Sequence, residues 1–77
     1  MSETATWPAV TFDTAKMQQD MAERGWVQRD LARAAQVSDA TVSDFLRGHS
    51  RSARTAAKLS IGLGFSVRRY VRRRRHD

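Results

Sequence analysis

At 77 residues with no cysteine, the chain is long enough for one domain near the lower size at which a core holds without staples, and disulfides and thiolate zinc sites are excluded. No apolar run approaches the length of a transmembrane helix or a secretory signal core, so the expectation is a soluble intracellular protein with no membrane partner. A formal charge of +6 and a pI near 11.3 point to an anionic partner. The charge is unevenly spread: residues 1–27 hold four acids and two bases, residues 28–50 three of each, and residues 51–77 nine bases and one acid.

In chain order, MSETATWPA shows no periodicity and reads as an N-terminal arm over residues 1–10, loose or packed only through Trp7. It holds no Lys or Arg, which argues against a minor-groove arm. From Thr11 the pattern turns helical. Thr11 or Asp13 serves as cap, Thr14, Met17 and Met21 share a stripe, and Gly25 ends the helix. Trp26 falls at the joint with the next helix, where an aromatic either fills core or anchors a partner.

A second helix is expected over Gln28–Ala35, with Leu31, Ala32 and Ala35 forming a short buried face. After a tight turn at residues 36–38, a third follows from Asp39 to Arg47 with Val42, Phe45 and Leu46 inward, Ser38 as N-cap and Gly48 as stop. Small side chains at Ala32 and Ala35 let the two helices cross closely. Beyond a polar loop, HSRS, a fourth helix is expected over Ala53–Leu63, capped by Ser52, with Ala56, Leu59 and Leu63 on one face. Gly62-Leu63-Gly64 has no strand before it and reads as a helix stop, not a nucleotide loop. Ser66 caps a final helix in which Val67, Tyr70, Val71 and Arg74 recur at i, i+3, i+4 and i+7.

With no internal repeat and no alternating strand pattern, the fold class is all-α: a compact four- to five-helix bundle over residues 11–71, followed by a basic tail at 72–77. Two short helices joined by a tight turn form a helix-turn-helix, whose second helix is offered to the DNA major groove.

The run Gln28, Leu31-Ala32, Ala35, Val37-Ser38, Thr41-Val42-Ser43, Gly48 resembles the helix-turn-helix of the phage Cro and C1 repressor (XRE) family, and with flanking helices the resemblance spans roughly residues 12–72. It implies the fold of lambda-repressor-like DNA-binding domains and a place in the bacterial cytoplasm. Two positions depart from the family. Gln36 stands where Gly is usual, and Val27 stands where Ser or Thr would cap the second helix.

The resemblance further implies that Ser38, Asp39, Ala40, Ser43, Asp44 and Arg47 occupy base-reading positions. Gln28, Arg29 and Thr41 would then contact phosphate, as would Arg51 and Arg54 at the start of the fourth helix. For Asp39 two readings stand: favourable interaction with the helix dipole, or acceptance of a hydrogen bond from the cytosine amino group while phosphate is repelled. Asp44 either pairs with Arg47 or Arg51 or faces the bases, and Arg47 either grips guanine or reaches a phosphate. Arg68, Arg69, Arg72 and Arg73 belong to a stretch with six arginines in eight residues, expected on phosphates.

No enzyme reading assembles, and no cofactor or metal is expected: His49 lies in a polar loop, His76 at the chain end, and no carboxylate pair has supporting context. The leading expectation is a sequence-specific regulator bound to a double-stranded operator, monomeric or weakly dimeric in solution and paired on DNA. An antitoxin that also binds its own operator, and an architectural or RNA-binding module using the arginine tail, are the competing expectations.

Overall fold

In a computed structural model, residues 10–73 are described; the arm 1–9 and the end of the tail, 74–77, lie outside the described residues. Strand β1 (Val10–Phe12) is followed by four helices, α1 (Thr14–Glu23), α2 (Gln28–Ala35), α3 (Asp39–Leu46) and α4 (Ala53–Leu63). A 3-10 turn (Val67–Tyr70) then leads into strand β2 (Val71–Arg73). The expected all-α bundle is present with its four principal helices.

Each helix begins where a side chain satisfies a free N–H group. Asp13 accepts from the Lys16 N–H, Ser38 from Thr41 and Ser52 from Thr55. Val27 offers α2 no acceptor, as its side chain requires, but Asp30 three residues on accepts from the Val27 N–H at 2.8 Å. That is half of a capping box.

All four helices end in the same way. The N–H five residues beyond a carbonyl turns back to it, in the pairs Trp26 to Met21, Val37 to Ala32, His49 to Asp44 and Phe65 to Ser60. This closure needs a left-handed residue just before the returning N–H. Gly25, Gly48 and Gly64 fill that place in α1, α3 and α4, while in α2 it is Gln36, at φ 60°. Trp26, Val37 and Phe65, which follow three of these residues, are half-buried against the core.

The core draws on every helix: Met17 and Met21, Leu31 and Ala32, Val42 and Phe45, Ala56, Leu59 and Leu63, closed by Tyr70. Burying one such large apolar side chain contributes about 1.5–3 kcal/mol. On α4, only one of the two glycines read as a stop has that role. Gly62 lies inside the helix, where an added Cβ would stand 3.0 Å from the Ala35 backbone nitrogen and 3.2 Å from the Ala34 carbonyl carbon. It is glycine because α2 crosses there with backbone against backbone.

The final segment departs from expectation. Ser66 does cap it, accepting from the Arg68 N–H, but the helix expected through Arg74 is a single 3-10 turn that gives way to β2. The Tyr70 carbonyl accepts from the Asp13 N–H at 2.7 Å, so it is taken by β1's end of the molecule and not by a following helical turn. The chain then pairs antiparallel with β1, Val10 opposite Arg73, Thr11 opposite Arg72 and Phe12 opposite Val71. The arm therefore ends before Val10, and Arg72 and Arg73 belong to a ribbon and not to a free tail.

What holds this segment down is Asp20, 5% exposed between Met17 and Met21 on the inner face of α1. Its carboxylate accepts from Arg69 Nε at 3.0 Å, from Arg69 Nη2 at 3.1 Å and from the buried Tyr70 hydroxyl. The guanidinium hydrogen bonds hold the Asp20 carboxyl below its ordinary range despite burial, and the Arg69 guanidinium is raised in turn. Burial, together with the bond to Asp20, pushes the Tyr70 hydroxyl up to about 12. Arg69 also lies 4.1 Å over the Phe65 ring, whose edge meets Tyr70.

Candidate nucleic-acid interface

The helix-turn-helix is α2, the turn at residues 36–38, and α3. Inward-facing Val42, Phe45 and Leu46 fix α3 against the core, and Phe12 of β1 braces it from below with its ring 5.7 Å from that of Phe45. Sequence reasoning missed Phe12, since nothing in a three-residue strand marks its partner. With the inner face committed, Asp39, Ala40, Asp44 and Arg47 are exposed on the outer one, flanked by half-buried Ser43 and Thr41.

Ser38 sits at the N-terminus of α3, where its hydroxyl is partly engaged by the helix. Its Oγ accepts from the Thr41 N–H at 3.0 Å and lies 2.8 Å from Thr41 Oγ1. One of the two hydroxyls donates to the other, which leaves a single O–H of the pair free to donate outward. The charged side chains of α3 have no such ties. Among the described residues the one ion pair is Arg69 with Asp20, so the pairing of Asp44 with Arg47 or Arg51 weighed from the sequence does not occur. Neither Asp39 nor Asp44 accepts a side-chain hydrogen bond among the described residues.

Gln28 and Arg29, at the N-terminus of α2, are exposed, as are Arg51 before α4 and Arg54 in its first turn. A shallow cleft of about 200 Å³ lies between the ribbon and the end of α3, lined by Thr11, Phe12, Phe45, Gly48, Ser50 and Arg51. Thr11 is opposite Arg72 in the ribbon and donates from Oγ1 to the Arg72 carbonyl at 3.4 Å. Through that pairing β2 runs beside β1, whose Thr11 and Phe12 line the cleft together with Arg51.

The four arginines expected together on phosphates part company. Arg68 and Arg72 are exposed, and Arg73 lies in β2. Arg69 is turned inward onto Asp20 and Phe65, so its two bonding nitrogens serve the fold. Asp20 was legible in one respect: an acid at i+3 from Met17 and next to Met21 lies on a buried stripe and needs a partner.

A helix-turn-helix held by a small all-α core is the architecture of a DNA-binding regulator, and the comparison with protein families agrees. The family model described as helix-turn-helix matches residues 17–70, and the chain belongs to this family of Cro/C1-type DNA-binding proteins. No curated protein and no solved structure matches it significantly. No helix among the described residues is long and apolar enough to cross a membrane. Nor does any group of His, Cys, Asp and Glu among them stand together as a metal site.

Proposed function

We propose that this regulator is a repressor of the Cro-like kind, binding a double-stranded operator with α3 in the major groove. The observation that carries the reading is the division of α3 into an inner face spent on the core and an outer face whose charges are all unpaired among the described residues. Ala40, Ser43 and Arg47 face the base edges, with Asp39 and Asp44 beside them. Gln28, Arg29, Thr41, Arg51 and Arg54 hold phosphates, and Arg68 from the 3-10 turn and Arg72 and Arg73 from the ribbon extend that grip along the backbone. Two copies assemble on a two-fold symmetric operator, while the free protein is a monomer or weak dimer, because its C-terminal segment is basic and its apolar residues there, Val67, Tyr70 and Val71, are at least half-buried.

A salt titration of affinity for a selected and a scrambled duplex tests this division of labour. Replacing Arg47 by Ala lowers affinity for the selected site by about tenfold or more and hardly affects the scrambled one. Replacing Arg72 and Arg73 by Gln keeps the ribbon backbone, weakens both duplexes alike, and reduces the slope of log affinity against log salt by about 0.9 for each phosphate that is no longer neutralised. Equal reductions on both duplexes for the Arg47 variant would refute the placement of α3.

A further inference from the structure

In a chain of charge +6, α3 is the most acidic helix: its eight residues, Asp39–Leu46, hold two aspartates and no base. Both carboxylates are exposed, and among the described residues neither meets a cation. The Ser38 hydroxyl already caps Thr41, so the start of α3 does not depend on Asp39 for its cap. Two unpaired negative charges on a helix that enters the DNA groove are repelled by the phosphates on either side, unless donors in the groove receive them. The major groove offers few donors. Guanine presents two acceptors and thymine an acceptor and a methyl group; in the paired duplex the adenine amino group lies between two acceptors, N7 and thymine O4, whereas the cytosine amino group has an acceptor on one side only, guanine O6.

Resting on the reading of α3 as the groove helix, we propose that Asp39 and Asp44 are specificity determinants that select C·G base pairs by accepting from the cytosine amino group. Repulsion from guanine N7 and O6, thymine O4, adenine N7 and phosphate disfavours the other pairs at these positions. Five residues of helix separate them, roughly 7.5 Å along the axis and about 140° around it. They therefore lie on opposite flanks of the outward face and address cytosines about two base-pair steps apart, taking about 3.4 Å per step. The arginines supply affinity without regard to sequence, and the aspartates limit where it is expressed.

The test is selection from a random duplex library by the wild-type protein and by Asp39→Asn and Asp44→Asn, with the affinity of each protein for the selected and a scrambled duplex. Asn is of the same size and these positions are exposed, so folding is retained and is checked by a melting curve. The expected result is a wild-type site with two C·G pairs about two steps apart. Each variant loses cytosine preference at one of them, by about tenfold and towards adenine, whose N6 and N7 an amide can bond. If both variants keep the wild-type base preferences and merely bind all duplexes more tightly, the carboxylates act as bulk charge and the inference is overturned while α3 remains the reading helix. If the wild type itself selects no sequence, the reading of the protein as a sequence-specific regulator fails and the inference falls with it.

Discussion

The carboxylates of Asp20 and Asp39 are nineteen residues apart and have opposite fates. Asp20 is almost wholly enclosed, takes three donors and fastens the end of the chain to α1; Asp39 stands in solvent at the start of α3 with no partner among the described residues. The same split divides the arginines, all of them exposed: Arg69 is bound to Asp20, while Arg47, Arg51 and Arg72 have no ion pair among the described residues. Formal charge is thus a poor guide to the charge available to a ligand. Part of the basic excess counted along the C-terminal third is consumed by one acid far upstream.

The largest expected effect comes from breaking the enclosed side of this contrast. Asp20→Asn leaves Arg69 without its counter-ion and weakens the bond to Tyr70. Asp20 is enclosed while Arg69 is partly exposed, so the loss is smaller than for a fully buried pair yet well above that of a surface substitution. Chemical denaturation measures it, and Asp39→Asn in the same assay shifts stability by no more than about 0.5 kcal/mol. Comparable effects from the two substitutions would erase the distinction.

The same cluster sets the pH response. Asp20 has a folded value below its ordinary one, so its contribution is complete above about pH 4 and is lost as pH falls through the folded value. Tyr70, pushed up to about 12, contributes fully below about pH 10 and loses that contribution as pH rises towards 12. Stability against pH therefore falls on both sides of a plateau, and in Asp20→Asn the acid-side fall is shallower. An unchanged acid limb would show that Asp20 is not the group being titrated.

A backbone contrast comes next in size. Gly62→Ala drives a methyl against the Ala34 and Ala35 backbone and costs about 1–3 kcal/mol as α2 is pushed off α4. Since α2 carries the helix-turn-helix, DNA affinity falls with stability. The smallest effect has the opposite sign. Gln36 holds the left-handed position that glycine holds in the other three helix ends, and Gln36→Gly is expected to stabilise by roughly 0.5–1 kcal/mol in thermal melts. A neutral or destabilising result would mean that the glutamine side chain repays its strain through interactions of its own.

The helices were legible because their signals are local. Gln28–Ala35 and Ala53–Leu63 have the bounds that caps and apolar spacing require, and of the two outcomes open at Gln36, the conformation glycine adopts more cheaply or a different turn, the structure shows the first. The groups proposed to meet DNA were legible as positions on α3, though not as a set of unpaired charges. What the sequence concealed depends on partners far away. The spacing of Val67, Tyr70, Val71 and Arg74 satisfies a helix, yet β2 forms because β1, about sixty residues earlier, offers it an edge and Asp13 takes the Tyr70 carbonyl. Arg69 looked like its neighbours until Asp20, 49 residues before it, was brought beside it.

The pairing of β1 with β2 also bears on the order in which the molecule comes together. Thr11 and Arg72 are 61 residues apart, and closing a flexible loop of that length costs roughly 3–4 kcal/mol in chain entropy, more than a three-residue ribbon returns by itself. Docking of Tyr70 in the core and of Arg69 on Asp20 removes most of that cost, because it leaves only three residues to find their partner strand. The ribbon is then a late-forming, early-opening unit resting on a cooperative helical nucleus. The three backbone pairs of the ribbon therefore open and close on a local equilibrium of lower cost than global unfolding, and protection of their amides against hydrogen exchange should be weaker than that of the helices.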